Sequence, residues 1–590
     1  MAQLDILVMI VFAVMIFVIG LVFTRVGSRS GQAFFEAGGE TPWWINGLSL
    51  FISYFSAGTF VVWGSIAYKQ GLVANSIQLT MAISGAITAL LIAGRWRRTG
   101  AKTAAEYIGR RFNLGTQQFY TYLILLLSLF NTGTVLYPVG KMVGVATGLP
   151  LDACIVVIGL IIILYTAAGG LWAVLVTDVV QFVVLLAAVL IVVPAALKEV
   201  HGFKGFVGGA PPGFFSFFSK DYTLGFMLAF IGYQTVYIGG NWSYVQRYTS
   251  VSNERNARKV AWLFCGLYLV SPLIWMLPPM IYRVIDPHLQ GLGAENAYML
   301  LCEKVLPAGL IGLVLSGMIS ATSSKANTTI NLAATVFAKD IYYRLLRPSA
   351  SEKEQIFVGR LFTLLFGAGT ILVAIWIPAA GGVVEVVLSI ASIAGSALFA
   401  PIIWSLYSRR QTAFSVVVAT AVSLGVNLFF KFFAPYLMNV RLSRTEETVS
   451  GVGLPLLILV GFEVWYGLRV RGVARGIVTG GPGAAGGLAT GGPGAARGLE
   501  AGGSGEVAGS VGSVAHEDAM RQNRFGVTVI AWAIGFTGAG ILVLGVLARG
   551  QGVVIGVGAG IMMAGGYVGR LVRKMKAPAK GEKRLTPQRV

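Results

Sequence analysis

Charged residues are scarce in this chain. Asp, Glu, Lys and Arg together make up 12% of its 590 residues, whereas an ordinary soluble domain carries about a quarter. Hydrophobic residues make up 56% of the sequence, and the mean hydropathy is +0.75. This composition excludes a soluble globular protein, and we predict an all-α polytopic membrane protein.

Cysteine and histidine are also rare. The three cysteines are far apart in apolar segments, which excludes a disulfide framework and a Cys-rich metal site. The three histidines all fall in predicted loops, at His201, His288 and His516. The sequence has no phosphate-binding loop and no Ser-His-Asp arrangement. We therefore expect neither an enzyme nor a protein with a bound cofactor.

Acidic residues are fewer than basic ones. The chain has 24 Asp and Glu against 45 Lys and Arg, which gives a formal net charge of +21. The basic residues lie in short segments between apolar runs, where they orient a protein in a bilayer, so we expect lipid and no nucleic acid as a partner. Their uneven distribution between alternate loops predicts an outside N-terminus and a cytoplasmic C-terminus in an inner or plasma membrane.

Apolar runs set the expected number of spans. A membrane-spanning helix needs about 20 predominantly apolar residues. The chain offers thirteen such runs between residues 4 and 468, and two more at 525–548 and 551–570. We therefore predict about 15 transmembrane helices.

The same runs divide the chain into four parts. Residues 1–470 are predicted to form a thirteen-helix body and residues 524–572 a two-helix appendage. Residues 471–523 between them are dominated by Gly and Ala and contain GGPGAA twice. Such a composition cannot bury enough apolar area to fold, so we predict a disordered cytoplasmic linker. Residues 573–590 form a basic cytoplasmic tail.

The appendage contains a stripe of glycines. Gly552, Gly556 and Gly560 recur at every fourth position, and Gly565 is paired with Gly569 in the same way. This spacing lets helix backbones approach closely. This pattern is typical of homo-oligomerisation or of docking on the body. The alternative is that the two helices pack only on each other.

The ninth predicted span is the least suited to contact lipid. Residues 320–329 (SATSSKANTT) include no large apolar side chain. Hydrogen bonds from Ser and Thr to the helix's own carbonyls would account for the hydroxyls. They do not account for Lys325, since an ionised Lys near the centre of a span costs about 2.5 to 3.5 kcal/mol on insertion scales and is by default functional.

Few other charged residues fall inside the predicted spans. Asp178, near the cytoplasmic end of the sixth span, is the expected partner of Lys325. Lys141 and Glu385 lie towards the outer ends of their spans, where we expect them to reach the lipid headgroups.

The second predicted span is interrupted by small residues. Residues 53–59 (SYFSAGT) break an otherwise apolar run. In a transporter, a break at the bilayer midplane frees backbone carbonyls to bind a cation or a substrate. A kink filled by a neighbouring helix is the alternative.

Several strings in a fixed order carry a family resemblance. They are Pro42-Trp-Trp, Ala93-Gly-Arg-Trp-Arg-Arg with Thr103-Ala-Ala-Glu-Tyr, Gly169-Gly-Leu-Trp-Ala-Val with Thr177-Asp178 and Gln181, Tyr244-Val-Gln-Arg247, and Asn331-Leu-Ala-Ala-Thr-Val-Phe with Asp340-Ile-Tyr. With these strings the chain resembles the sodium/solute symporter family, which includes sugar and proline symporters. The resemblance ends near residue 470. It implies a LeuT-like core of two inverted five-helix repeats, the second to sixth and seventh to eleventh spans, each beginning with a broken helix.

The resemblance also implies a sodium site between two helices. Its carbonyl ligands become Ile52, Phe55 and Ala321, and its two adjacent hydroxyl positions become Ser324 and Lys325. The ammonium of Lys325, which we expect Asp178 to balance, would replace the ion. Two unit positive charges about 4 Å apart oppose each other by roughly 4 kcal/mol at an effective dielectric near 20. That repulsion would weaken sodium binding about a thousandfold.

The implied substrate site is less specific. It places Ser56, Thr59, Gln78, Tyr237 and Asn241 beside the solute. These residues do not reproduce the polar set expected of a sugar or a proline symporter, so sugars, carboxylates and nitrogenous solutes all stay open.

We therefore expect a secondary transporter of a small polar organic solute that works by alternating access. Lys325 favours proton-coupled or uncoupled transport over sodium coupling. The alternatives are sodium-coupled symport, as in the family, and a transporter-like receptor or scaffold with little transport.

Overall fold

The chain is all-helical in the part that the structure describes. The computed structural model describes residues 2–27, 41–101, 103–165, 171–479, 505–548 and 551–574. No strand occurs within these ranges. The predicted all-α class is confirmed.

The helices of the first half are mostly long and apolar. They are α1 (Gln3–Gly27), α2 (Trp43–Tyr54), α3 (Gly64–Gln70), α4 (Val73–Ile87), α5 (Ala93–Arg98), α6 (Ala104–Arg111), α7 (Leu114–Thr147), α8 (Leu151–Tyr165), α9 (Leu171–Glu199), α10 (Gly202–Gly209), α11 (Leu224–Gly240), α12 (Trp242–Thr249) and α13 (Glu254–Trp275). Short π-helical segments, Thr59–Trp63 and Thr88–Ile92, precede α3 and α5.

The second half continues in the same way. Its helices are α14 (Leu277–Ile285), α15 (Ala297–Val305), α16 (Leu310–Val336), α17 (Glu352–Trp376), α18 (Val383–Ile390), α19 (Ser396–Ser405), α20 (Ala413–Leu428), α21 (Ala434–Leu437), α22 (Arg444–Thr479), α23 (Gly505–Leu547) and α24 (Gly552–Lys574). Further π-helical segments are Phe337–Leu346, Ala391–Gly395 and Phe429–Phe433, and Gly291–Asn296 is a 3₁₀-helix.

The number of spans differs from the prediction. In the described ranges, 10 helices are long and apolar enough to cross a membrane, or up to 11 if the bent pair Trp43–Tyr54 and Thr59–Gln70 is one span. Four more predicted spans coincide with shorter apolar stretches, namely Gln3–Ile19, Leu151–Ile163, Leu224–Gly240 and Leu310–Ser323. The first and last of these are parts of the longer helices α1 and α16. The predicted total of 15 is not confirmed.

Aromatic side chains hold α2 against α13. The ring of Phe51 lies 5.1 Å from that of Tyr268, and the ring of Phe55 lies 4.1 Å from that of Trp275. The outer helices instead leave large apolar side chains exposed, such as Leu372 on α17 and Leu457 on α22. Exposed leucines need no explanation in a bilayer, since lipid tails are as apolar as Leu.

A buried carboxylate joins α1 to α16. The amides of Gly309 and Gly312, at the N-terminus of α16, donate to Asp5 Oδ1 at 2.7 and 3.0 Å. Asp5 is 1% exposed. A helix N-terminus has N–H groups without intrahelical acceptors and a partial positive charge. Asp5 therefore supplies from another helix the cap that α16 lacks in its own sequence.

Two charged residues near the outer ends of predicted spans have partners of opposite charge elsewhere in the chain. Lys141 lies 3.1 Å from Glu295 Oε2, and Glu385 accepts from Lys431 at 2.9 Å. Neither residue is therefore an unpaired charge.

The C-terminal helices extend beyond the predicted boundaries. α22 continues to Thr479 and α23 begins at Gly505, so both helices enter the predicted linker 471–523. Its middle part, residues 480–504, and most of the predicted tail lie outside the described residues. α23 and α24 pack on each other and on α9.

Of the predicted glycines, Gly565 and Gly569 face α23, whereas Gly552, Gly556 and Gly560 have open space around them. A Cβ at Gly565 would come within 2.7 Å of the Gly535 amide nitrogen, and one at Gly558, which lies outside the predicted spacing, within 2.5 Å of that of Leu542. The two helices therefore pack on each other, as in the alternative, but they also pack on α9 of the body.

The cap on α16 gives a stability test. Asp5→Ala should lower the free energy of unfolding by about 2 kcal/mol, because two buried amides lose their acceptor. Thermal unfolding of the purified protein in detergent measures the effect. Asp152→Ala, which removes an exposed carboxylate from the first turn of α8, is the matched control. Equal melting temperatures for the two variants would contradict the role of Asp5.

Candidate functional site

The first element of the site is the break after α2. The helix ends at Tyr54, Phe55 is extended (φ −90°, ψ 122°), and helix resumes at Thr59 with a bend of 52°. Ser56 and Thr59 satisfy the freed amides: Ser56 N donates to Thr59 Oγ1 and Gly58 N donates to Ser56 Oγ, both at 3.2 Å. The predicted interruption at residues 53–59 is confirmed. Because the helix stops there, the last carbonyls of α2 lose the amides that a continuous helix would offer them.

A second break separates α11 from α12. Asn241 is extended (φ −61°, ψ 128°), and its side chain accepts a hydrogen bond from Ser243 N at 3.0 Å. An Asn in this position caps the new helix, so one residue both ends α11 and starts α12.

Both breaks line one cavity. Its volume is about 170 Å³, whereas a single water needs about 10–15 Å³ on the same scale. Most of the wall comes from α7, α11, residues 54–63 around the first break and residues 387–399. The polar or charged lining residues are Tyr54, Ser56, Thr59, Ser128, Asn131, Thr134, Tyr233, Gln234, Tyr237, Asn241, Tyr244 and Lys325. The cavity can therefore hold a small organic molecule beside two helix breaks.

Four of the five residues expected beside the solute line this cavity: Ser56, Thr59, Tyr237 and Asn241. The fifth, Gln78 on α4, is fully buried but is not part of the wall. Neither its amide nitrogen nor its amide oxygen has a hydrogen-bond partner among the described residues.

Sequence reasoning missed several polar wall residues. The Tyr54 hydroxyl donates to Gln234 Oε1 at 3.4 Å, and Asn131 Nδ2 donates to the Tyr237 hydroxyl at 3.2 Å. The rings of Tyr54 and Tyr244 lie 5.0 Å apart. The polar residues 131–134 (NTGT) inside an apolar run and the Tyr and Gln residues within 233–237 were signals that could have identified this wall.

The residues predicted for the cation site lie on two helices in contact. Ile52 lies on α2, Phe55 directly follows α2, and Ala321 lies on α16. All three are buried, and α2 and α16 pack against each other. The side chain of Ser324 lies outside the described part of the structure. Lys325 lines the cavity, and its ammonium carries three donors and no lone pair, so it cannot ligate a cation.

The expected pair of Asp178 and Lys325 is wrong. Asp178 accepts a hydrogen bond from Ser49 at 2.6 Å and lies 3.9 Å from Arg247 Nη2. Arg247 also donates to the Ser49 hydroxyl and to the Ser243 carbonyl, at 3.3 and 2.6 Å. The carboxylate of Asp178 on α9 therefore links α2 to α12. Its ionic partner is Arg247 on α12, and not Lys325.

Comparisons with known proteins agree with this architecture. A model of the sodium:solute symporter family matches residues 34–420. A sodium/glucose cotransporter of Vibrio parahaemolyticus is 26% identical over 462 residues, which cover 72% of this chain and 85% of that protein. Sodium/glucose cotransporter 1 of Ovis aries is 28% identical over 461 residues, which cover 69% and 68%.

A solved structure has a similar fold. It is a Na⁺-coupled sialic acid symporter in a substrate-bound outward-open state, with a TM-score of 0.62 at 20% identity, covering 78% of this chain and 97% of that one. These relatives are cotransporters and not enzymes. The family match covers well over half of the sequence, and the chain therefore belongs to the sodium:solute symporter family of multi-pass membrane transporters.

Proposed function

We propose that this protein is a secondary transporter that moves a small polar organic solute through the cavity between its two helix breaks. The observation that carries the proposal is that both breaks, at residues 55–58 and at Asn241, line the same cavity. Broken helices at the midplane offer partial charges and free backbone groups to a bound solute. The solute would bind to Ser56, Thr59, Tyr237 and Asn241, with Gln78 behind the wall.

The two breaks also support a core of two inverted repeats. Each break lies at the start of one predicted group of five spans, and transporters built from inverted repeats place their site at the interface between the repeats. Alternating access then arises when one group of helices moves against the other. In the orientation that we infer, the N-terminus is outside and the C-terminus is cytoplasmic.

We infer that Lys325 takes the place of the sodium ion between α2 and α16. Its ammonium is at the wall of the cavity that the α2 break also lines. A sodium ion about 4 Å away would be opposed by roughly 4 kcal/mol at an effective dielectric near 20. Coupling to protons, or no ion coupling, is therefore the proposed mode. Sodium-coupled symport is the second candidate, since both named cotransporter relatives carry sodium in their names.

The Asp178–Arg247–Ser49 network is proposed to close the cytoplasmic path. It joins α2, α9 and α12, and in the inferred orientation these contacts lie between the cavity and the cytoplasm. Gln181 adds a contact from α9 to α16, donating to Ser320 at 2.9 Å. Release of solute to the cytoplasm would require this network to separate.

We also propose that the glycine stripe of α24 forms a contact between two copies of the chain. The open space around Gly552, Gly556 and Gly560 leaves this face available to another helix, and the spacing suits close approach.

Replacing sodium tests the coupling. Uptake into proteoliposomes should be the same with sodium as with choline, because the ammonium of Lys325 already occupies the cation position. Lys325→Ser should introduce some dependence on sodium, and Lys69→Ser, which changes an exposed lysine, is the matched control. Loss of gradient-driven uptake in choline would instead establish sodium-coupled symport.

A double-mutant cycle tests the proposed closure. Asp178→Asn and Arg247→Met should each reduce thermal stability, since each leaves a buried charge unpaired. The double variant should recover part of the loss, with a coupling energy above about 0.5 kcal/mol. The same cycle with Lys325→Met in place of Arg247→Met should be additive. Coupling in the second cycle and additivity in the first would reverse the assignment of Asp178.

Truncation tests the role of the appendage. All cavity-lining residues lie between Tyr54 and Phe399, so a chain that ends after residue 470 should retain solute uptake. Its melting temperature should fall, because α9 loses the cover of α23 and α24. Complete loss of uptake in a truncated protein that still inserts would show that the appendage takes part in transport.

A further inference from the structure

We propose that the transported solute is an organic anion whose carboxylate binds to the ammonium of Lys325. This inference rests on the proposed function, in that it takes the cavity between the two breaks as the transport site. It names the chemical class of the solute, which the sequence left open.

The first argument is the charge of the cavity. Among the lining residues that the structure describes, Lys325 alone carries a formal charge; the rest are hydroxyl, amide, aromatic and aliphatic side chains, one methionine and two glycines. An organic cation would meet a charge of its own sign there, and no carboxylate would receive it. The wall therefore selects against cationic solutes.

The second argument is that the nearby acids are already engaged. Asp178 pairs with Arg247 and Ser49. The described residues give the Lys325 side chain no ion pair and no hydrogen bond. Its positive charge is therefore left without a counter-charge from the described part of the protein.

Two further carboxylates in the described helical body are engaged in the same way, and Asp5 is held by the amides of Gly309 and Gly312. Glu295 accepts from the Tyr137 hydroxyl at 2.7 Å and pairs with Lys141 at 3.1 Å. Glu385 pairs with Lys431 at 2.9 Å and with Arg444 at 3.4 Å. None of these acids is free to neutralise Lys325 without leaving its own partner.

A bound carboxylate would resolve this imbalance. A charge removed from water is costly unless it is paired and hydrogen-bonded. An ammonium and a carboxylate form short hydrogen bonds that are about twice as strong as those between neutral groups. The carboxylate of the solute would thus be the counter-charge of the Lys325 ammonium.

The remaining wall describes the rest of the solute. Ser56, Thr59, Asn131 and Gln234 offer neutral donors and acceptors, and Trp63 and Tyr54 offer aromatic faces. A molecule with one carboxylate and an uncharged polar body matches this distribution. A zwitterion matches it less well, because no lining carboxylate would receive its ammonium.

Matched pairs of small molecules test the proposal. The full-length protein in nanodiscs would be titrated with galacturonate and galactose, with lactate and lactamide, and with N-acetylglycine and its amide. Within each pair only the carboxylate differs. Binding would be followed by isothermal titration calorimetry. In at least one pair the carboxylate should bind at least tenfold more tightly than its neutral partner.

Variants assign that preference to one residue. Lys325→Met should remove the preference for the carboxylate, a loss of about tenfold to a hundredfold in its affinity. Lys325→Arg should keep most of it, and Lys69→Met should leave it unchanged. The proposal is overturned if the neutral member binds as well as its acid in every pair, if no carboxylate binds, or if the preference survives in Lys325→Met.

Two further experiments, chloride binding and proteoliposome uptake, separate failure of the anion site from failure of the proposed transport function. If chloride binds in a Lys325-dependent way and no carboxylate does, the site holds inorganic anions and the proposal is wrong. Proteoliposome uptake then tests the proposed function separately. Carboxylates that bind but are not transported would refute transport while supporting the anion site, whereas uptake of neutral solutes alone would support transport and overturn the anion site.

Discussion

Hydrocarbon offers no hydrogen bonds and little screening, and every feature of the site depends on that constraint. A helix cannot break inside a bilayer unless other groups take over its backbone partners. Here Ser56 and Thr59 engage amides after α2, and Asn241 caps α12. Small polar side chains therefore stabilise the two breaks by hydrogen-bonding to backbone amides. The breaks in turn bring polar backbone and side chains to one cavity.

The same constraint governs the charges. Asp178 with Arg247, Glu295 with Lys141, and Glu385 with Lys431 each place opposite charges within 4 Å of one another. Asp5 balances the N-terminus of α16 instead of a side chain. Lys325 differs from all of these, since its wall position leaves it facing the cavity. This contrast with the paired charges of the described residues is what supports the proposal that Lys325 binds a charged group of the solute.

Sequence reasoning located features that depend on local composition. The run at residues 53–59 had too many small residues to continue as a helix, and Lys325 was conspicuous because ammonium groups are rare at mid-span. Sequence reasoning did not identify contacts that depend on which helices are neighbours. The sequence pairs Asp178 with Lys325 because both fall inside predicted spans, whereas Arg247 follows the end of the seventh predicted span. The break at Asn241 places α12, and with it Arg247, beside Asp178 on α9. The prediction that Gln78 lies beside the solute depends on the same kind of information. Gln78 is buried on α4 but does not line the cavity, and the sequence does not show which side of α4 faces the cavity. The glycine pattern also depends on neighbours: Gly565 meets α23, but so does Gly558, which lies outside the predicted spacing, and Gly552, Gly556 and Gly560 do not.

On the proposed assignment, one ammonium determines both ion coupling and solute selection. A fixed positive charge at the cation position makes sodium superfluous, and the same charge gives an anionic solute its main point of attachment. The loaded carrier would then have a nearly neutral cavity, whereas the empty carrier would have to reorient with Lys325 unpaired or without its proton. Loss of that proton would itself link the return step to the proton gradient. The mode of coupling would thus follow from the need to neutralise Lys325 in each half of the transport cycle, without a separate ion site.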